Sequence, residues 1–150
     1  MYYGTPFGCT YGTKVAYNTS NGSDHGIRIA EAYLNRAEAF IRRSLATGND
    51  GDRVLALNDL NVLRETRYMT GSYVDEQITD ANELLEFCLM ERRLELSLEE
   101  GFRWFDIKRL GLSVTHVYID TEGVEREYIL ESNSPLYALP IPYDAIERNY

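Results

Sequence analysis

Hydrophobic residues recur at helical spacing in two segments near the start of the chain. Over residues 27–46, the i, i+3, i+4, i+7 pattern predicts an amphipathic helix. Its stripe consists of Ala30, Tyr33, Leu34, Ala37, Ile41 and Leu45. A second helix is predicted over 53–67, capped by Asp52. Its apolar face consists of Ala56, Leu57, Leu60 and Leu63. The short loop between them predicts an antiparallel, tetratricopeptide-like helical hairpin.

The same spacing continues over residues 80–100 and 102–110. Asp80 begins the third helix with a D-x-x-E pattern, and Gly101 and Gly111 each follow a helix as a left-handed closing residue. One face of the third helix consists of Ala81, Leu84, Leu85, Cys88, Leu89 and Leu96. Phe87, Leu94 and Leu98 widen this apolar arc.

Charged residues interrupt the apolar face of the third helix. Arg92, Glu95 and Glu99 fall at its centre, and Glu91 falls beside it. Charges in a buried arc require partners, because leaving one unpaired is costly. Candidate partners are Arg103, Asp106 and Arg109 on the next helix, and Arg28, Arg36 and Arg64 upstream. We therefore predict a structural ion network of Glu91, Arg92, Glu95, Glu99, Arg103, Asp106 and Arg109.

The carboxylates at 91, 95 and 99 also raise the alternatives of a metal site or a general acid/base pair. A di-iron bundle needs Glu-x-x-His pairs, and no histidine falls on a predicted helix. Arginines beside a carboxylate lower its pKa, which disfavours a general acid. Motifs such as G-x-S-x-G, a Walker loop and H-E-x-x-H are missing from the sequence. We predict that the protein is not an enzyme and that it has no catalytic residue, no metal and no cofactor.

The periodicity changes after residue 111. Polar and apolar residues alternate over 113–120 and 124–130 around a Thr-Glu-Gly turn, which predicts a β-hairpin. His116, alone on its strand, is interpreted as a surface or packing residue. Prolines predict an extended tail from Pro135 to Pro142. The fold class is therefore mainly α, a helical-hairpin scaffold with a small β-hairpin and an extended C-terminal tail.

Residues 1–26 are rich in tyrosine and glycine, which indicates extended or looped chain. Tyrosines in a loop can stack on sugar rings, so the ligand-binding candidates are Tyr2, Tyr3, Tyr11 and Tyr17. The alternative is that they pack against the helices. Segments are thus predicted at 1–26, 27–111 and 112–150, all in one domain.

Single residues and the net charge further restrict the possible functions. Cys88 is interpreted as a small buried hydrophobe, Cys9 carries no interpretation, and Trp104 is assigned to packing rather than to a ligand platform. The net charge of −9 disfavours a nucleic-acid partner. No apolar run is long enough to span a membrane.

Three ordered blocks of sequence resemble the C-terminal portion of the SusD/RagB family. The segment Glu91–Gly111 resembles the family signature E-R-R-x-E-L-x-x-E-G-x-R-W-x-D-L-x-R-x-G, with Glu100 as one extra residue before the glycine. Upstream, Ile27–Ala39 is similar to the family's R-L-A-E-x-Y-L helix. Downstream, Leu139–Asn149 is similar to its closing P-I-P segment. Three blocks in order are far more specific than any one alone.

The resemblance implies the C-terminal domain of a SusD-like glycan- or nutrient-binding protein. Such a protein is a cell-surface lipoprotein of the outer membrane, in polysaccharide utilisation, that hands oligosaccharides to a SusC-like TonB-dependent transporter. The resemblance gives the matched residues a structural role, with the lipid anchor and signal outside this chain. The alternative is a helical-repeat protein–protein interaction scaffold without a carbohydrate role; a carboxylate-based glycosidase fragment is a third hypothesis.

Overall fold

The computed structural model describes residues 2–4, 11–13, 28–97 and 101–148. The chain divides into two compact units, which we call the N-terminal unit (residues 1–100) and the C-terminal unit (residues 101–150). The predicted mainly α fold class is confirmed. In the tyrosine-rich start, strands β1 (Tyr2–Gly4) and β2 (Tyr11–Thr13) pair antiparallel.

In its described residues, the N-terminal unit contains three helices around one core. They are α1 (Ile29–Thr47), α2 (Asp50–Glu65) and α3 (Ala81–Glu95), and α1 packs against both others. The buried apolar side chains are Ala30, Leu34, Ala37, Ile41, Ala56, Leu60, Leu63, Leu84, Cys88 and Leu96. The predicted stripes therefore face inward, with the exception of Leu45, which is 40% exposed.

The turn between α1 and α2 differs from the predicted one. Gly48 ends α1 in the left-handed conformation with φ 73°. Asn49 caps α2 and accepts the N–H of Gly51 at 3.0 Å, so α2 begins at Asp50 rather than at 53. Asp52, the predicted cap, lies inside the helix because Arg43 binds its carboxylate.

Helix α3 begins where predicted but ends earlier than predicted. Asp80 caps the helix, accepting the N–H groups of Asn82 and Glu83 at 2.9 Å each. The helix ends at Glu95, short of the predicted residue 100, because Leu96 leaves helical geometry (φ −98°, ψ 14°). Leu94, expected to widen the apolar arc, is instead 58% exposed. Leu98 and Glu99 lie outside the described residues.

The C-terminal unit combines short elements. Helix α4 (Phe102–Leu110) has the predicted bounds, and strands β3 (Val114–Ile119) and β4 (Glu125–Leu130) form the predicted antiparallel hairpin. The tail contains a 3-10 turn at Pro135–Tyr137 and helix α5 at Tyr143–Glu147. The turn lies within residues 135–142, which the prolines predict to be extended, whereas α5 begins after them. Proline is compatible with a first helical turn because its fixed φ suits that position.

Candidate functional site

The charged residues of α3 contact the helices upstream of it. Glu95, with a side chain 11% exposed, accepts from Arg28 at 2.6 Å and from two of the three Arg67 nitrogens at 2.6 and 2.9 Å. The carboxylate therefore joins the start of α1 to the residues that follow α2. Charge-assisted, bidentate pairs of this kind are the strong ones.

Arg92 is the most enclosed arginine of this group, at 6% exposure. It donates to the Asn35 side-chain oxygen at 2.7 Å and lies 3.9 Å from the Glu31 carboxylate. Both partners lie on α1. A buried guanidinium with these contacts holds α3 against α1.

Arg64 is the centre of a mixed ionic and aromatic cluster. Its guanidinium pairs with Glu91 and donates to the Tyr68 hydroxyl at 3.0 Å. Glu76 lies 3.2 Å away. The guanidinium carbon also lies 5.1 to 5.9 Å from the ring centroids of Tyr68, Tyr73 and Phe87. Cation–π contacts therefore supplement the ion pair.

The connector between α2 and α3 is attached to α2 by side chains. The Asn61 oxygen accepts from the Tyr73 hydroxyl at 2.6 Å and from the Glu76 N–H at 3.0 Å, while its nitrogen donates to the Glu76 carbonyl. Arg53 donates to the Ile78 carbonyl at 2.8 Å. The connector thus has a defined path, which sequence reasoning did not predict.

Two similar groups of side chains join α1 to α2. In one, Arg36 lies over the Tyr33 ring and binds Asp59 through two nitrogens at 2.7 and 2.8 Å. In the other, Arg43 lies over the Phe40 ring and binds Asp52 at 2.5 and 2.6 Å. We call these the two aromatic–arginine–aspartate triads: Tyr33–Arg36–Asp59 and Phe40–Arg43–Asp52.

The triads carried a signal in the sequence that our reasoning missed. Each member of one triad is seven residues, about two helical turns, from its counterpart in the other. From the first triad to the second, the residue numbers increase by seven on α1 and decrease by seven on α2, as an antiparallel hairpin requires. Arg36 was expected to pair with the charges of α3, but its partner is Asp59 of α2.

The C-terminal half of the signature forms its own contacts. Asp106 accepts from Arg109 at 2.7 Å, one helical turn away. Arg103 is exposed on α4, and Trp104 is half-buried. These residues belong to the C-terminal unit, whereas Glu91, Arg92 and Glu95 belong to the N-terminal one.

Gly111 ends α4 in the left-handed conformation, with φ 62°, as the sequence predicts. A Cβ here would lie 3.0 Å from Cγ of Asn133 and closer still to its Oδ1. Ser132 donates to the Gly111 carbonyl at 2.6 Å, and the Tyr137 hydroxyl donates to Leu112 at the same distance. Only glycine permits this close approach of the tail to α4.

Asp52 and Asp120, which accept arginine hydrogen bonds, are poor general acids. A hydrogen bond from Arg43 lowers the pKa of Asp52, although burial opposes it. The bond from Arg126 does the same for Asp120, helped by the backbone N–H of Val124. Proton donation at neutral pH requires a raised pKa instead.

The predicted ligand tyrosines stay predictions. Tyr2 and Tyr3 lie in β1 and Tyr11 in β2, while Tyr17, Cys9 and His25 lie outside the described residues. Over 28–97 and 101–148, no three His, Cys, Asp or Glu side chains are grouped to hold a metal ion. No helix in the described part of the chain is long and apolar enough to cross a membrane.

Comparison with known proteins identifies the family. A sequence model of the SusD family matches residues 9–150. A SusD-like protein, P38 of Formosa agariphila, is 36% identical over 89 residues, which is 58% of this chain. The alignment covers 17% of that relative. No solved structure matches the chain. The family match spans nearly the whole sequence, so the chain belongs to the SusD family.

Proposed function

We propose that this chain is the C-terminal part of a nutrient-binding protein that hands oligosaccharides to a TonB-dependent outer-membrane transporter of the SusC type. The observation that carries the proposal is the family match over residues 9–150. The protein would act at the cell surface as a lipoprotein. Its role would be binding and transfer, without chemistry on the glycan.

The contacts of α3 support a scaffold role for this part of the protein. Glu91, Arg92 and Glu95 are each held by side chains of α1, of α2 or of the residues after α2. Charges that are engaged in this way fix the packing of three helices and have little capacity left for a ligand. The predicted ion network would thus act by positioning other parts of the protein. The proposed glycan contacts of the protein remain Tyr2, Tyr3, Tyr11 and Tyr17.

Isothermal titration of this chain, and of the same chain with its upstream sequence, against neutral oligosaccharides tests the proposal. We expect binding by the longer protein, and co-purification of that protein with a SusC-like transporter from native membranes. Binding by neither protein to any glycan would contradict the proposal.

A second candidate is a helical scaffold that binds a protein partner and has no carbohydrate role. The outer face of α2 favours it, because Val54, Leu55 and Val62 are 51%, 50% and 40% exposed there. Exposed apolar residues grouped on one element commonly mark interaction surfaces. Substituting Val54 and Val62 by Ser separates the two candidates, since it would abolish partner binding and leave glycan binding intact.

A further inference from the structure

The β3–β4 hairpin presents two faces of different chemistry. Strand residues alternate between faces, and the register places His116 opposite Tyr128 and Tyr118 opposite Arg126. We call this side of the hairpin the aromatic face; it consists of Val114, His116, Tyr118, Arg126, Tyr128 and Leu130. The aliphatic face consists of Thr115, Val117, Ile119, Glu125, Glu127 and Ile129.

Two tyrosine rings stack on the aromatic face. The ring centroids of Tyr118 and Tyr128 are 5.3 Å apart, their planes differ by 10°, and their hydroxyl oxygens are 3.4 Å apart. Tyr118 is half-buried, whereas Tyr128 is 65% exposed. Parallel, offset rings are a favoured arrangement, so the stack holds the open ring of Tyr128 in place before any ligand arrives.

The charges near this stack are balanced. Arg126 donates to the Asp120 carboxylate at 2.6 Å, and that carboxylate also accepts the backbone N–H groups of Glu122 and Val124 at 2.9 Å. A ligand at the stack therefore meets ring faces, two hydroxyl groups, an imidazole and a neutralised ion pair. The hydrogen bond with Tyr128, and secondarily burial, raise the pKa of Tyr118.

We propose that the aromatic face of the hairpin binds a neutral oligosaccharide, with one sugar ring packed on the open side of Tyr128. A pyranose has an apolar face of axial C–H groups and a rim of hydroxyls, which match an aromatic face with phenolic groups at its edge. The tyrosine hydroxyls exchange hydrogen bonds with the sugar. This inference rests on the proposed function and adds a specific binding site to it.

The opposite face of the same hairpin shows why we assign a sugar rather than a protein to the aromatic face. Val117, Ile119 and Ile129 are 45%, 72% and 55% exposed there, beside two glutamates. Branched aliphatic side chains offer a hydroxylated ring no flat surface and no hydrogen bond. The aliphatic face therefore provides internal controls at matched positions on the same two strands.

The first test is an NMR titration of the isotope-labelled full chain with maltohexaose, cellohexaose and xylohexaose in turn. We expect one of these glycans to shift the ring signals of Tyr118 and Tyr128 and the imidazole of His116. The methyl signals of Ile119 and Ile129 should stay unchanged. Methyl shifts on the aliphatic face without ring shifts would overturn the proposal.

The second test measures affinity for that glycan by calorimetry. Tyr128→Ala should weaken binding about tenfold, since an aromatic contact contributes on this scale. Ile129→Ala, on the other face of β4, should change it less than about twofold. Tyr128→Leu keeps apolar bulk in the hairpin but removes the flat ring, and it should weaken binding as Tyr128→Ala does. Circular dichroism confirms that each variant is folded.

The outcomes separate this proposal from the general one. Unchanged glycan affinity in Tyr128→Ala and Tyr128→Leu would overturn the hairpin site while leaving oligosaccharide binding by the protein intact. If neither this chain nor the longer protein binds any of the glycans, both proposals fail. If Tyr128→Leu instead releases a SusC-like transporter and leaves glycan affinity unchanged, the face is a protein contact and the sugar assignment is wrong.

Discussion

The two units of this chain are stabilised in different ways. In the N-terminal unit, Leu34, Ile41, Leu60, Leu84 and Cys88 are all fully buried between helices. In the described part of the C-terminal unit, the buried apolar side chains are Ile107 and Tyr137. Large apolar side chains of its tail, such as Leu139 and Ile141, are about 70% exposed.

This difference separates long-range packing from local hydrogen bonding. Arginine–carboxylate pairs and a shared core connect three helices in the N-terminal unit. A hairpin turn, a glycine stop and short tail contacts define the C-terminal unit, and a two-stranded hairpin is marginal alone. We therefore expect substitutions in the first unit to affect global stability and substitutions in the second to affect local order.

The largest expected effect is that of Leu34→Ala in the core. Leu34 has no exposed surface, so the truncation should lower the free energy of unfolding by about 3 kcal/mol, through lost burial and a cavity. Urea denaturation followed by circular dichroism measures it. Leu136→Ala, at a residue 70% exposed in the C-terminal unit, should change stability by less than about 0.5 kcal/mol. Equal effects would remove the contrast between the units.

The next effect is that of Glu95→Gln, which keeps the shape and removes the charge. Arg28 and Arg67 would lose a common partner, so we expect a loss of about 1 to 2 kcal/mol, moderated because both arginines are partly exposed. The same denaturation measures it. Glu86→Gln on the exposed side of α3 is the control, and a loss of similar size there would refute the role of Glu95.

Gly111→Ala probes the local order of the C-terminal unit. A non-glycine residue at φ 62° costs about 1 to 2 kcal/mol, and here the new methyl group would also collide with Asn133. Gly123→Ala is the matched control, since Gly123 has φ 79° but open space around it. Amide exchange over residues 130–137 should accelerate more in Gly111→Ala. Equal acceleration would mean that the Asn133 contact is unimportant.

The smallest effect concerns pH and the hairpin turn. Arg126 and two backbone N–H groups lower the pKa of Asp120 below its unfolded value of about 3.9. Its contribution to stability is therefore complete above about pH 4 and is lost as the pH falls through the lower, folded pKa. Amide protection in β3 and β4 should decrease over that acidic range, and Asp120→Asn should abolish the pH dependence. A variant that retained the dependence would assign it to another carboxylate.

The sequence predicted most reliably the elements that local chemistry determines. Gly111 ends α4 as predicted, and the predicted bounds of α4 agree with the structure. Gly101, predicted to close the third helix, instead precedes α4 with φ 130°, because α3 already ends at Glu95. Alternation on both sides of Gly123 predicted the hairpin, and Asp80 predicted the start of α3. At the helix ends, residues within one turn of each other provide the determining contacts, and the hairpin pairs two strands that its own short turn joins.

The sequence predicted less well where a distant partner decides the outcome. Asn49 and Asp52 both suit a helix cap, and the bond from Arg43 to Asp52 settles which residue is used. The expected pairing of Arg28 and Arg64 with carboxylates of α3 is present. The prediction for Arg36 was wrong, because helical periodicity shows on which face a charge lies but does not identify the residue with which it pairs. The Tyr118–Tyr128 stack could be predicted only from the strand register, because the two residues are diagonal neighbours on adjacent strands.

The Glu95 bridge has a consequence for the order of folding. The two triads close loops of 9 and 23 residues, whereas the Arg28–Glu95 pair joins positions 67 residues apart. The entropy lost on closing a loop grows with its length, so contacts between nearby segments form sooner. The α1–α2 hairpin should therefore assemble first and provide the surface on which α3 docks. Glu95 would then report the final step, in which the beginning and the end of the three-helix segment come together.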